Sequence, residues 1–599
     1  MRFPRASDIM SARLTTSPQQ RPRWRLIDAL IAGVALTLML IGLLWLMTTD
    51  QGLIDLEVRL EQAPVTVYRT NDLSPAPVVV IAHGFSGSRQ MMEPFARTLA
   101  HNGYIAVSFD FPGHGANPRP LEGKIGDQQR VQVLLDALSA VVDYASALPQ
   151  YDGRLALLGH SMAGDIAVRY ADLNGDLSPA SRLDQPATGT EAIGHRPGYP
   201  DTSVSADGDV SADAEADANL STGSEASANP AGPAGPAAEL DAIVAISPYL
   251  SQDLGEHRPG RTPDNLLFIY GEWEPQMILD QGRDAVAAVA DRPSSEIEPN
   301  ITYGDLDLGN ARRLVVAENV EHIGVLYSAS ALEAALDWLN QVFDHQDSGW
   351  IDARGAWLGL YFLGVILLAW PLSRLLPQVS SEPLGAGLDW RRLLPAALLP
   401  ALLTPLILRP FPSDFLSIAI ADYIALHFAV YALLTGLMLL LIRPRRSEHS
   451  GAHISVSGFM LALLAVIAYQ TLSIALPTDL YVAAFLPDPH RFGILAVLLV
   501  ATTAWFVADE WLTRGRGAFA GGYALTKIMF LVSLILAVVL NLEELFFLVI
   551  IIPAILILFV VFGLFSSWIY RRTGHPLLAA LANALAFAIA ITSSFPIAD

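Results

Sequence analysis

Nine apolar runs, eight of them after one long stretch of ordinary soluble character, constrain this chain more than any other feature. The first, Leu26–Thr48, has no charge after Asp28 and is long enough to cross about 30 Å of hydrocarbon. The other eight fill the chain from Gly355 onward, at 355–376, 393–408, 415–442, 455–476, 492–512, 522–541, 545–568 and 577–596. They explain why the 599 residues are 52% hydrophobic and only 16% charged. Span 393–408 is short and contains Pro395, Pro400 and Pro405, which predicts a kinked or partly re-entrant helix.

Arginines orient the runs. Arg21, Arg23 and Arg25 precede the first, so 1–25 reads as a cytoplasmic tail and 26–48 as a retained signal anchor that exports the segment after it. In the 355–596 membrane domain, alternate loops then carry the basic residues. One holds Arg374, Arg391 and Arg392, the next Arg443, Arg445 and Arg446; then come Arg514 and Arg516, and last Arg571 and Arg572. The opposite loops hold Asp414, Asp479, Asp488, Glu543 and Glu544. This is the pattern of a multi-pass cell-membrane protein whose middle segment is extracytoplasmic. The net charge of -22 offers no basic surface for nucleic acid. With no cysteine, disulfides and thiol nucleophiles are excluded.

Between the runs, 53–344 reads as an α/β domain. "IDLEVRL" and "VTVYRT" alternate as a half-buried hairpin does, whereas "PVVVIAHG", "YIAVSFDFPG", "RLALLGH", "LDAIVAIS" and "NLLFIYG" are continuous apolar strands. Helix-length stretches at Met91–His101, Asp127–Ala147 and Met162–Asp172 separate them, which predicts a mainly parallel sheet with flanking helices. Residues 174–238, rich in Ala, Ser, Asp, Gly and Pro, lack the large apolar side chains that offset ordering entropy and read as a disordered acidic insertion.

"LALLGHSMAGDIA" ends a strand and opens a helix through Gly159-His160-Ser161-Met162-Ala163-Gly164, the strand–turn–helix context of a nucleophile elbow. Alanine at 163 replaces the usual last glycine of G-x-S-x-G. "HGFSGS" puts His83, Gly84 and Phe85 after the third strand, so the backbone N–H groups of Phe85 and Met162 are the oxyanion-hole candidates. Such donors are worth about 3 kcal/mol each. His83 comes too early to be the base and reads as structural, as does His114 in "DFPGHG". The order serine, acid, histidine points to Glu274 in "GEWEP", with Glu272 in reserve, and to His322 in "VEHIGVLYS". His257 precedes that acid and His345 lies beyond the last helix. Ser161 is then the nucleophile, His322 the proton shuttle and Glu274 its orienting acid.

On "HGFSGS", "DFPGHG", "GHSMAG", "GEWEP" and "EHIGVLYS", in that order, residues 53–344 resemble the α/β-hydrolase superfamily of esterases, lipases and dienelactone hydrolases. The resemblance implies an α/β-hydrolase fold joined to an all-α transmembrane domain. It also implies a serine hydrolase without cofactor or metal, acting on a small-molecule or lipid acyl substrate. Departures from the family pattern are Ala163, a glutamate where aspartate is commoner, and the insertion before the sixth strand. Ser247–Asp264 is too short for a large lid. Acyl transfer by the same serine, and a transport or sensing protein whose hydrolase-like domain only binds, are the competing readings.

Within the membrane half, Asp422, His427, Asp509 and Glu510 mark either a proton or ion path or hydrogen bonding between helices. Asp422 and His427 lie about 140° apart around a helix and share no face. "NLEELFF" and "RRTGHPLLAALANAL" resemble segments of CPBP-type intramembrane proteases. Leu548 stands where that family has an arginine and Asn583 near a histidine position, so that activity is not carried over.

Overall fold

The computed structural model describes residues 26–49, 51–124, 126–175, 240–250, 265–411, 415–442 and 453–598. The tail 1–25, nearly all of the insertion at 174–238, residues 251–264 of the short lid segment, Asp414, and Arg443, Arg445 and Arg446 lie outside them.

After helix α1 (Leu26–Thr48) the described residues form nine strands. These are β1 (Leu53–Arg59), β2 (Pro64–Thr70), β3 (Ala76–Ala82), β4 (Ile105–Phe109), β5 (Tyr151–His160), β6 (Ala242–Ile246), β7 (Leu266–Gly271), β8 (Thr302–Tyr303) and β9 (Arg312–Ala317). They form one sheet in the order β1-β2-β4-β3-β5-β6-β7-β9-β8. The run from β4 to β9 is parallel, while β1 and β2 at one edge and β8 at the other are antiparallel. Strand alternation sends Val78, Val80 and Ala82 to one face and Val79 and Ile81 to the other. Helices α3 (Gln128–Ser146), α4 (Met162–Gly175) and α5 (Gln276–Ala290) cover the first face. Helices α2 (Glu93–His101) and α6 (Ala329–Phe343) cover the second. Two buried faces are why the central strands read as unbroken apolar runs.

The helical half contains α7 (Arg354–Ser373), α8 (Trp390–Leu408), α9 (Ala421–Ile442), α10 (Val456–Gln470), α11 (Leu476–Tyr481), α12 (Phe492–Thr513), α13 (Gly522–Leu540), the single turn α14 (Leu542–Leu545), α15 (Phe547–Thr573) and α16 (Pro576–Ser594). Among the described residues, nine helices are long and apolar enough to cross a membrane, α10 and α11 counting as one continuous run.

Several bounds differ from the sequence expectation: α9 begins at Ala421, six residues after 415, and α7 ends at Ser373, three residues before 376. Helix α8 is one continuous 19-residue helix that begins three residues early, because the Asp389 carboxylate caps it by accepting from the Arg391 and Arg392 amides. The run expected to end at 476 continues to Tyr481 through a π-helical turn, Thr471–Ala475. Pro477 follows that turn, and the wider turn accommodates a ring that has no N–H to offer. Helix α15 outlasts its apolar run to Thr573, where Gly574 at φ +71° stops it and Arg571 and Arg572 complement its C-terminal dipole.

Helix α1 lies along α7, with Trp45 stacked on Trp357 at 4.9 Å and Asp28 paired with Arg374 at 2.7 Å. Gly364 permits the approach, since a Cβ there would stand 2.7 Å from the Ala35 carbonyl oxygen. At the end away from the sheet, the interhelical loops are tied together. Val379 and Ser380 donate to the Thr573 carbonyl, Ala386 to Trp511 and Gly387 to Arg514. At the other end the two halves meet: Arg354 donates to Glu93 at 2.6 Å and to Asp352 at 2.7 Å. Arg491, 2% exposed, donates to the carbonyls of Gly113, Thr592 and Phe595.

Candidate active site

Ser161 follows β5 directly and sits at φ +54°, a left-handed conformation that costs a non-glycine residue about 1–2 kcal/mol. Close packing holds it there. Its amide donates to the Ile246 carbonyl at 2.7 Å, and its own carbonyl accepts from Gly164 at 3.0 Å as α4 begins. Gly84 rests against the elbow; a Cβ there would stand 2.9 Å from both the Ser161 Cβ and the His160 Nδ1.

Three side chains form one hydrogen-bonded line. Ser161 Oγ lies 3.0 Å from His322 Nε2, and His322 Nδ1 lies 3.1 Å from Glu274 Oε2. Ser161 and His322 are each 9% exposed and Glu274 is 7% exposed. The second carboxylate oxygen of Glu274 accepts from the Gly271 amide at 2.8 Å and from the Ser247 hydroxyl. Glu272 faces away and accepts from the Asn319 amide at 2.9 Å. The structure therefore brings Glu274, not the reserve candidate, to the imidazole.

His160 donates from Nε2 to the His322 carbonyl at 2.9 Å, which fixes the backbone that carries the imidazole. Burial, reinforced by the neighbouring His322, pushes His160 down to about 3, so it is neutral. His83 bridges two loops: its Nδ1–H donates to the Gly84 carbonyl at 2.8 Å and its Nε2 accepts from the Phe111 amide at 3.1 Å. Burial lowers its pKa against the opposing pull of Asp110. His114, also lowered by burial, donates from Nδ1 to the Pro112 carbonyl. Among the described residues the Phe85 and Met162 amides donate to no protein acceptor, as befits a free loop amide and the first N–H of a helix. No group of three or more His, Cys, Asp or Glu side chains among the described residues is gathered as a metal would require.

Sequence reasoning missed Ser247, the hydroxyl that holds Glu274. Its signal was a polar residue, "ISP", at the carboxyl end of an otherwise apolar strand. It also missed Lys527. Asp509 pairs with Lys527 of α13, and Glu510 binds Arg514 and the Ser566 hydroxyl of α15. These two carboxylates thus make bonds between helices. Of the segments resembling intramembrane proteases, Glu544 accepts from Asn541 and Asn583 lies beside Gln470.

The sheet order, the serine elbow after β5 and the helices on both faces are those of the α/β-hydrolase fold, and the sheet domain is a hydrolase-like domain. The profile of the family described as "Serine aminopeptidase, S33" matches residues 74–187, from just before β3 to past α4. Among solved structures, a predicted CIB-like hydrolase from Thermoplasma acidophilum is similar at 12% identity and a TM-score of 0.30, over 48% of this chain and 98% of that one. A dienelactone hydrolase from Anabaena variabilis is similar at 13% identity and a TM-score of 0.27, over 49% of this chain and 98% of that one. A putative dienelactone hydrolase from Klebsiella pneumoniae reaches 15% identity and 0.27 over the same shares. No curated protein matches the sequence.

Proposed function

We propose that the protein is a membrane-anchored serine hydrolase that cleaves an ester, thioester or amide through an acyl-enzyme on Ser161. The observation that carries this reading is the line from Ser161 Oγ to His322 to Glu274, with the serine held at a positive φ. Ser161 Oγ attacks the acyl carbon while its proton passes to His322 Nε2. The tetrahedral oxyanion accepts from the Phe85 and Met162 amides. His322 gives the proton to the departing alcohol, thiol or amine as the acyl–leaving-group bond breaks. Water then attacks the acyl-serine, its proton passes through His322 to Ser161 Oγ, and the acid leaves. Glu274 keeps the imidazole in the Nδ1–H tautomer and stabilises the imidazolium of each step.

The reading divides the chain into a cytoplasmic tail (1–25), a signal anchor (26–48), an extracytoplasmic hydrolase domain (53–344) and a membrane domain (355–596). Its orientation is supported by Arg374, Arg514, Arg571 and Arg572, which stand at the helix ends next to the loops tied together away from the sheet. The test is labelling of membranes by a fluorophosphonate. Wild type labels and Ser161→Ala does not; labelling that survives the substitution dismisses the mechanism.

A further inference from the structure

We propose that the acyl ester cleaved here is a long-chain lipid of the bilayer leaflet beside the hydrolase domain, reaching Ser161 sideways from the membrane. This rests on the serine-hydrolase reading above and names its substrate class.

Loops on both sides of the catalytic line touch the N-terminal end of α15, at Phe547 and at Phe546, which caps it. On the oxyanion side, the Phe85 ring meets Phe547 edge-on at 4.6 Å, and Ser88 Oγ of the same loop accepts from the Ala484 amide at 3.1 Å. On the acid side, Tyr249, two residues beyond the Ser247 that holds Glu274, lies 5.8 Å from the Phe546 ring. Helix α15 has 27 residues, and an 18-residue stretch of it averages a hydropathy of 3.2, the highest among the candidate spans. The loops that carry the catalytic line therefore meet the helical half at the ends of its apolar helices, where the bilayer boundary lies.

The exposed side chains beside these residues in the chain suit that boundary. Trp273 and Ile323 adjoin Glu274 and His322 in the chain and are 64% and 36% exposed. Met277, in the first turn of α5, is 52% exposed, and Leu542 and Val549, close in the chain to Phe546 and Phe547, are 56% and 44% exposed. Large apolar side chains left bare beside Glu274 and His322 mark a surface that meets something apolar. Tyrosine and tryptophan at this level are the residues that settle among lipid headgroups. A water-soluble polar substrate would gain nothing from them. The ester C–O bond breaks with formation of the Ser161–acyl bond, the lysolipid alcohol takes the proton from His322, and water then releases the fatty acid.

The test uses the full chain reconstituted in vesicles of dioleoyl phosphatidylethanolamine, phosphatidylglycerol and diacylglycerol. Oleate release is measured beside turnover of a soluble dibutyryl ester and fluorophosphonate labelling of Ser161. Wild type is expected to release oleate and Ser161→Ala none. Trp273→Asp is expected to lower oleate release at least tenfold more than it lowers dibutyryl turnover. Labelling and dibutyryl turnover without oleate release overturn the lipid assignment and leave the hydrolase reading standing, and equal losses on both substrates in Trp273→Asp overturn the lateral mouth. Absence of labelling together with absence of turnover overturns the hydrolase reading, and this inference with it.

Discussion

Replacing Ser247 by alanine removes one of two donors from the carboxylate oxygen of Glu274 that faces away from His322, leaving only the Gly271 amide at 2.8 Å. Ser247 is fully buried, so no solvent takes over the lost bond. A hydrogen bond to a charged group is worth about 1.5–3 kcal/mol. Since about 1.4 kcal/mol is tenfold in rate, full loss in the transition state lowers kcat by roughly 10- to 150-fold. The loss falls on kcat, because the Glu274 charge is needed most when His322 becomes imidazolium, and KM for a short-chain p-nitrophenyl ester stays within about twofold. Backbone strain is the competing explanation, since Ser247 sits at φ +46°. Ser247→Gly separates the two: glycine relaxes that conformation but also lacks the hydroxyl. Matching losses in the alanine and glycine variants support the positioning role. A kcat within twofold of wild type, or a glycine variant with native activity, refutes it.

Gly84→Ala drives a Cβ to 2.9 Å from the Ser161 Cβ and the His160 Nδ1, so fluorophosphonate labelling is expected to slow more than tenfold while the circular dichroism spectrum stays native. Lys527→Met leaves Asp509 buried without its cation, expected to cost about 3–5 kcal/mol; adding Asp509→Leu should recover most of it, read as melting temperature in detergent. His160 takes a proton only near about 3 in the folded protein, whereas in the unfolded chain it does so near 6.5. Below pH 6.5 the unfolded state therefore binds the extra proton, and the stability present above 6.5 is lost as pH falls toward 3. At about 1.4 kcal/mol per pH unit, His160 alone accounts for roughly 2 kcal/mol by pH 5. His83 and His114, also lowered by burial, act in the same direction, so the melting temperature should fall between pH 7.5 and 5. A flat profile argues that these imidazoles are not buried neutral.

What the chain declares by itself is what short-range chemistry encodes. Uncharged runs of about 20 residues are apolar on every side, so their length and their flanking arginines are readable without knowing any neighbour. Continuous apolar strands announce a sheet covered on both faces, and "GHSMAG" announces a strand turning into a helix. Where Ser161, Glu274 and His322 stand along the chain was legible for the same reason, since each follows a strand end.

Other features needed packing. Whether Glu272 or Glu274 meets the imidazole depends on how the turn after β7 is pinned, and Ser247, contributed by a different strand, does part of the pinning. The pairing of Asp509 with Lys527 depends on α12 and α13 lying side by side, and nothing within either run distinguishes it from solvent contact. The meeting of Phe85 with Phe547 joins residues 462 positions apart. Such contacts are set by which surfaces bury each other in three dimensions, which no local periodicity records.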